Sequence, residues 1–110
     1  MRQAAKIAKS KSRHKCHRHA ALILDGKRIR MAGFNHEETH AERDVIFKLL
    51  WDQHDRSAAA GYDLLSIRIT RGNQFGYSRP CRNCMALIRA AGIRRVTYTD
   101  SLGYQITEKI

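Results

Sequence analysis

The 110-residue sequence has one proline, Pro80, and only three cysteines, Cys16, Cys81 and Cys84. An odd count argues against a framework of paired disulfides. In a reducing compartment the close Cys81-x-x-Cys84 pair is a spacing for metal binding or dithiol chemistry. Acidic residues are also few: 10 Asp and Glu stand against 21 Lys and Arg, a formal net charge of +11. Such an excess raises affinity for polyanions without naming one; the plain alternative is a charged, solubilising surface. No apolar run approaches the roughly 20 residues of a membrane-spanning helix. The N-terminal stretch MRQAAKIAKSKSRHK has the positive charge of an export signal but no apolar segment behind it. A soluble, cytoplasmic protein with no membrane partner is therefore expected. The length suits one compact domain, and 43% hydrophobic residues suffice for one modest core.

Along the chain, residues 1–18 read as a basic N-terminal segment or short helix, and residues 19–110 as the folded domain. His19–Asp25 is an apolar run of strand length. Asp25-Gly26 is a hairpin dipeptide, and Lys27–Phe34 then alternates with Ile29 and Met31 on one face. After a polar loop, Thr39 and Glu42 have the spacing of a capping box. Val45, Ile46, Leu49 and Leu50 fall at helical spacing behind them, predicting a helix from about His40 to about His54. Leu64–Thr70 predicts a third strand. Pro80 suits the first turn of a second helix whose apolar face is Met85, Leu87, Ile88 and Ala91, and Gly92 stops it. Val96–Thr99 and Tyr104–Thr107 complete a β-β-α-β-α-β-β order, a helix-flanked mixed sheet. No internal repeat interrupts it.

Two segments carry chemistry, Thr39-His40-Ala41-Glu42 and Ser78-Arg79-Pro80-Cys81-Arg82-Asn83-Cys84. Each opens a predicted helix directly after a loop. Zinc takes imidazole nitrogen and thiolate sulfur, and a catalytic zinc keeps three protein ligands and one open position. His40, Cys81 and Cys84 supply that number. Residues i and i+3 in a first helical turn share a face, and the helix N-terminus favours thiolate. Glu42, two residues from His40, is placed as a general acid/base beside the metal. A structural zinc site or a redox dithiol is the other reading. The structural site would need a fourth ligand, for which Cys16, His14, His17 and His19 are the candidates.

His-x-Glu followed by Pro-Cys-x-x-Cys resembles the signature of the cytidine/deoxycytidylate deaminase superfamily, zinc-dependent nucleobase deaminases. The resemblance runs from about His19 to about Thr107. It implies a three-layer α/β/α fold around a five-stranded mixed sheet, a zinc cofactor, and hydrolytic exchange of an amino for an oxo group with release of ammonia. The implied base is cytosine, in a nucleoside, nucleotide or nucleic acid. By the same resemblance, Asn35 would contact the substrate's sugar, and the Ala41 N–H and the Arg79 carbonyl would bind the base edge, with Ser78 nearby. Asp100–Gly103 is too short for a crossover helix, so the last two strands are expected to be antiparallel, as in the free-nucleoside cytidine deaminases.

Phe75 and Tyr77, in the loop before the Pro-Cys motif, are candidates for base stacking or for loop packing. Trp51 reads as core or interface. Arg28, Arg30, Arg94 and Arg95 read as surface charge, with phosphate contact as the alternative. A homo-oligomer is expected, because so short a chain can complete its pocket with a neighbour's residues. The non-enzymatic alternative is a nucleic-acid-binding module whose zinc is structural.

Overall fold

The computed structural model describes residues 18–35, 39–70 and 74–110. The basic segment 1–18 expected from the sequence lies, except for Arg18, outside them, as do His14, Cys16 and His17. Seven elements follow in the expected order: β1 Arg18–Asp25, β2 Arg28–Phe34, α1 Ala41–Gln53, β3 Asp63–Ile69, α2 Arg82–Ala90, β4 Arg95–Thr99 and β5 Gln105–Lys109. The strands form one five-stranded mixed sheet in the order β2-β1-β3-β4-β5. β1 pairs antiparallel with both β2 and β3, β3 and β4 run parallel, and β4 and β5 are antiparallel as expected.

Local chemistry accounts for most of these boundaries. Gly26, at φ 62°, makes the β1–β2 turn. Gly92, at φ 83°, ends α2 in a Schellman arrangement: its N–H reaches the Arg89 carbonyl and the Ile93 N–H reaches that of Ile88. In β2 the expected alternation fails. Ile23 faces Met31 while Leu24 faces Ile29, so Arg30 is an extra residue in a β-bulge. The bulge puts Ile29 and Met31 on opposite faces, Met31 against the helices and Ile29 against the other side of the sheet.

Both described helices pack on one face of the sheet. The core between them holds Ala21, Ile23, Val45, Ile46, Leu49, Leu64, Met85, Ile88 and Val96. Burying each large aliphatic side chain there contributes about 1.5–3 kcal/mol relative to leaving it exposed. A second cluster, with Leu22, Leu65, Ile67 and Ile69, lies on the opposite face. Gly33 allows α1 to sit where it does: a Cβ at that position would lie 2.4 Å from the Val45 backbone nitrogen. The Phe34 N–H donates to Asp44 Oδ2 at 2.9 Å, fixing the same helix to the end of β2. Trp51 is not core, being 82% exposed on the outer face of α1. Among the described residues no helix is long and apolar enough to cross a membrane.

Candidate zinc centre and its cleft

Both helices start at the sheet edge where β2, β3 and β4 finish and β1 begins. The expected capping box is absent. The N-cap of α1 is His40 rather than Thr39, and it makes no side-chain cap hydrogen bond. Pro80 lies one residue before the N-cap of α2, which is Cys81, again without a side-chain cap. Both caps forgo that bond because His40 and Cys81 turn their side chains toward each other. Two positive helix ends therefore face one point, as anionic ligands require.

His40 Nδ1 lies 3.6 Å from Cys81 Sγ and 3.4 Å from Cys84 Sγ. The three donor atoms lie within 4.8 Å of one another. With Zn–N near 2.0–2.1 Å and Zn–S near 2.3 Å, a tetrahedral ion separates nitrogen from sulfur by about 3.5 Å. The donor set fits zinc in both chemistry and spacing. Among the described residues no fourth side chain joins the three. His19, once a candidate fourth ligand, is turned elsewhere.

Glu42 comes from the first turn of α1 and is 1% exposed. Its Oε1 lies 2.9 Å from His19 Nε2 and 2.9 Å from Ser66 Oγ. His19 Nε2 is also 2.7 Å from Ser66 Oγ, and Ser66 Oγ lies 2.8 Å from the Ser78 carbonyl. Burial pushes the Glu42 carboxyl up, but the hydrogen bond and charge of His19, its own backbone N–H and Ser66 together bring it down to about 2. Glu42 is thus held as a carboxylate. Cys84 shows the reverse. Burial, then the charge of Glu42, pushes its thiol well above the usual range. At Cys84 burial thus works against the thiolate form that the helix N-terminus favours, and a bound cation would favour loss of the proton.

These groups open into a cleft of about 350 Å³ lined by His19, Asn35, His40, Glu42, Arg68, Tyr77, Ser78, Arg79, Pro80 and Cys81. Of the residues expected to meet a substrate, Asn35, Ser78 and Arg79 therefore line it, and Ala41 is buried beside it at the start of α1. The Oδ1 of Asn35 accepts the His19 N–H at 2.9 Å, which ties the end of β2 to the start of β1. The Ser78 hydroxyl points into the wall, donating to the Ser66 carbonyl and accepting the Thr99 N–H. It braces the loop before Cys81 instead of facing the cleft. The Arg79 side chain pairs with Glu108 at 2.9 Å.

The two stacking candidates separate. Phe75 packs against the second core cluster and bridges to Ile69, whereas Tyr77 is 51% exposed in the cleft wall, edge-on to Tyr98 at 6.4 Å. A larger groove, of about 780 Å³, runs along α1 past Met31, Phe47, Leu50 and Trp51, but the metal donors are not part of it. His40, Glu42 and Cys81 line the smaller cleft instead. Motif reading missed Ser66 and offered His19 only as a fourth metal ligand. Their one signal was a polar side chain beside the apolar runs of β1 and β3.

A family model described as the cytidine and deoxycytidylate deaminase zinc-binding region matches residues 1–100. The fold is similar to that of a cytidine deaminase from Burkholderia pseudomallei, solved by crystallography at 1.6 Å. The TM-score is 0.71 at 20% sequence identity, over 97% of this chain and 87% of that one. No curated protein matches the sequence significantly.

Proposed function

The chain belongs to the cytidine and deoxycytidylate deaminase family, and from that premise we propose that it hydrolyses the exocyclic amino group of a cytosine base, releasing ammonia. The observation that carries this reading is a buried carboxylate, Glu42, in the same cleft as His40 and Cys81, whose donor atoms Cys84 joins within 4.8 Å. His40 Nδ1 and the two sulfurs would hold the metal. Zinc, when bound, supplies a water acidified from about 15.7 to about 7.

The remaining steps are done by this chain's residues. Glu42 takes a proton from the attacking water and gives it to the ring nitrogen next to the reacting carbon. It then carries a second proton to the amino group, which departs as ammonia, so that water and amine exchange for oxo and ammonia. The Ala41 N–H and the Arg79 carbonyl orient the base edge, and Asn35 faces the sugar. Tyr77 is the side chain with room to stack on the base. The net charge of +11 supports an anionic substrate, a nucleotide or a single strand, over an uncharged nucleoside.

The test incubates zinc-loaded protein with cytidine, dCMP, adenosine, guanine and single-stranded oligonucleotides, and looks for deaminated product by mass spectrometry. Uracil-containing product is expected. Conversion of purines alone would reject the choice of cytosine. No conversion of any substrate, with tight oligonucleotide binding, would favour a binding module with structural zinc.

A further inference from the structure

The contacts around Glu42 include one that the zinc motif does not call for. His19 lies 21 residues before His40, on a different element, and its side chain is 20% exposed. Its Nε2 reaches the same Glu42 oxygen, Oε1, as the Ser66 hydroxyl does. The same nitrogen lies 2.7 Å from Ser66 Oγ, and an N–H on it is within donating distance of the carboxylate oxygen at 2.9 Å. Ser66 has one hydroxyl proton and two acceptors, Glu42 Oε1 and the Ser78 carbonyl. When that proton points to Ser78, the imidazole becomes the remaining side-chain donor of the pair.

The ring stands on a rigid base. β1 is flanked by β2 and β3, the His19 N–H donates to Asn35 Oδ1, and the His19 carbonyl accepts the Asn35 N–H at 3.2 Å. The carboxylate is equally confined, being fully buried in the first turn of α1. A donor held against one oxygen restrains the rotation of a carboxylate about its terminal bond. A proton carrier must present its other oxygen in one direction, and misplacement by about 1 Å can cost about a hundredfold in rate.

We propose that His19 is a positioning residue for Glu42, holding Oε1 so that the other carboxylate oxygen is presented to the cleft. The proposal rests on the deaminase reading above, since it assigns work to the orientation of Glu42. It does not place His19 against the substrate.

Its test uses His19→Leu and His19→Gln in the full chain. Gln keeps an N–H donor at similar reach, and Leu keeps bulk alone. On whichever of cytidine, dCMP or a cytosine-bearing single strand the wild type converts, H19L should lose about tenfold to a hundredfold in kcat, the usual range for partners that orient site groups. KM should stay within about twofold and one zinc per chain should be retained, while H19Q should return kcat to within about threefold of wild type.

A second readout needs no turnover. In metal-free protein with 15N-labelled histidine, the His19 Nε2 signal should be that of a protonated nitrogen, and it should move in Glu42→Gln. Wild-type kcat in H19L would overturn the proposal. So would a loss in H19L that H19Q does not recover, or a ring signal indifferent to E42Q. A wild type that converts nothing would instead sink the deaminase reading, and the ring signal would still decide whether His19 holds Glu42.

Discussion

The starts of α1 and α2 are built alike and charged differently. Each has a donor residue as its N-cap, His40 or Cys81, exposed and without a side-chain cap bond. Each then buries one ionisable group within its first turn, Glu42 in α1 and Cys84 in α2. Around Glu42 the protein supplies compensating partners, His19 and Ser66, which keep the carboxylate ionised in the apo protein. Around Cys84 it supplies burial and a nearby negative charge, which keep the thiol protonated. The two first turns thus hold their ionisable groups in opposite states, a carboxylate in α1 and a neutral thiol in α2.

Substitutions at the two starts sharpen that contrast. His40→Ala or Cys84→Ala should abolish both bound zinc and turnover, read by metal analysis and ammonia release. Glu42→Gln should keep one zinc per chain yet lower kcat by about 10²–10⁴, the usual worth of a positioned acid/base. If E42Q also lost its zinc, the division of labour would be wrong. Zinc affinity should rise with pH, because binding expels the Cys84 proton. The expected slope is about tenfold per pH unit for each proton released, below the pKa of the free thiol. Competition with a chelator at several pH values measures it, and a flat profile would mean that the thiol is already ionised.

Away from the donors the expected effects shrink. Gly33→Ala forces a methyl into the Val45 backbone. It should cost about 1–3 kcal/mol in a denaturant melt, and it should lower activity as well, because α1 carries His40 and Glu42. The smallest effect should come from Asp63, whose carboxyl is drawn down chiefly by the Arg95 hydrogen bond, against a smaller opposing effect of burial. A depressed native pKa means stability that is present above the unfolded value and is lost as pH falls through the native one. Asp63→Asn should therefore cost under about 1 kcal/mol at neutral pH, and its difference from wild type should fade in acid.

Which parts of this were legible in the sequence depends on how local they are. His40, Glu42, Cys81 and Cys84 announce themselves through spacing along two short segments. The Asp25-Gly26 turn, the Gly92 stop and the short β4–β5 connection are equally local, and all three form as read. The Arg30 bulge is not local: it arises from pairing with β1, and it moves Ile29 to the face opposite Met31. The helix starts shift by one residue in α1 and two in α2, where His40 and Cys81, 41 residues apart in the chain, take the N-cap places and meet each other. The hydrogen bond between His19 and Ser66 spans 47 residues and exists only once β1 and β3 are paired. Ser78 was legible as a neighbour of the site, but its hydroxyl turns into the wall because two backbone groups there need it.

The most direct test compares wild type and E42Q, both loaded with zinc and counted for metal, on cytidine, dCMP and a cytosine-bearing single strand. Uracil product and ammonia from wild type, with almost none from a zinc-replete E42Q, is the result this account predicts. Equal conversion by the two proteins, or none by a wild type holding one zinc per chain, would contradict it.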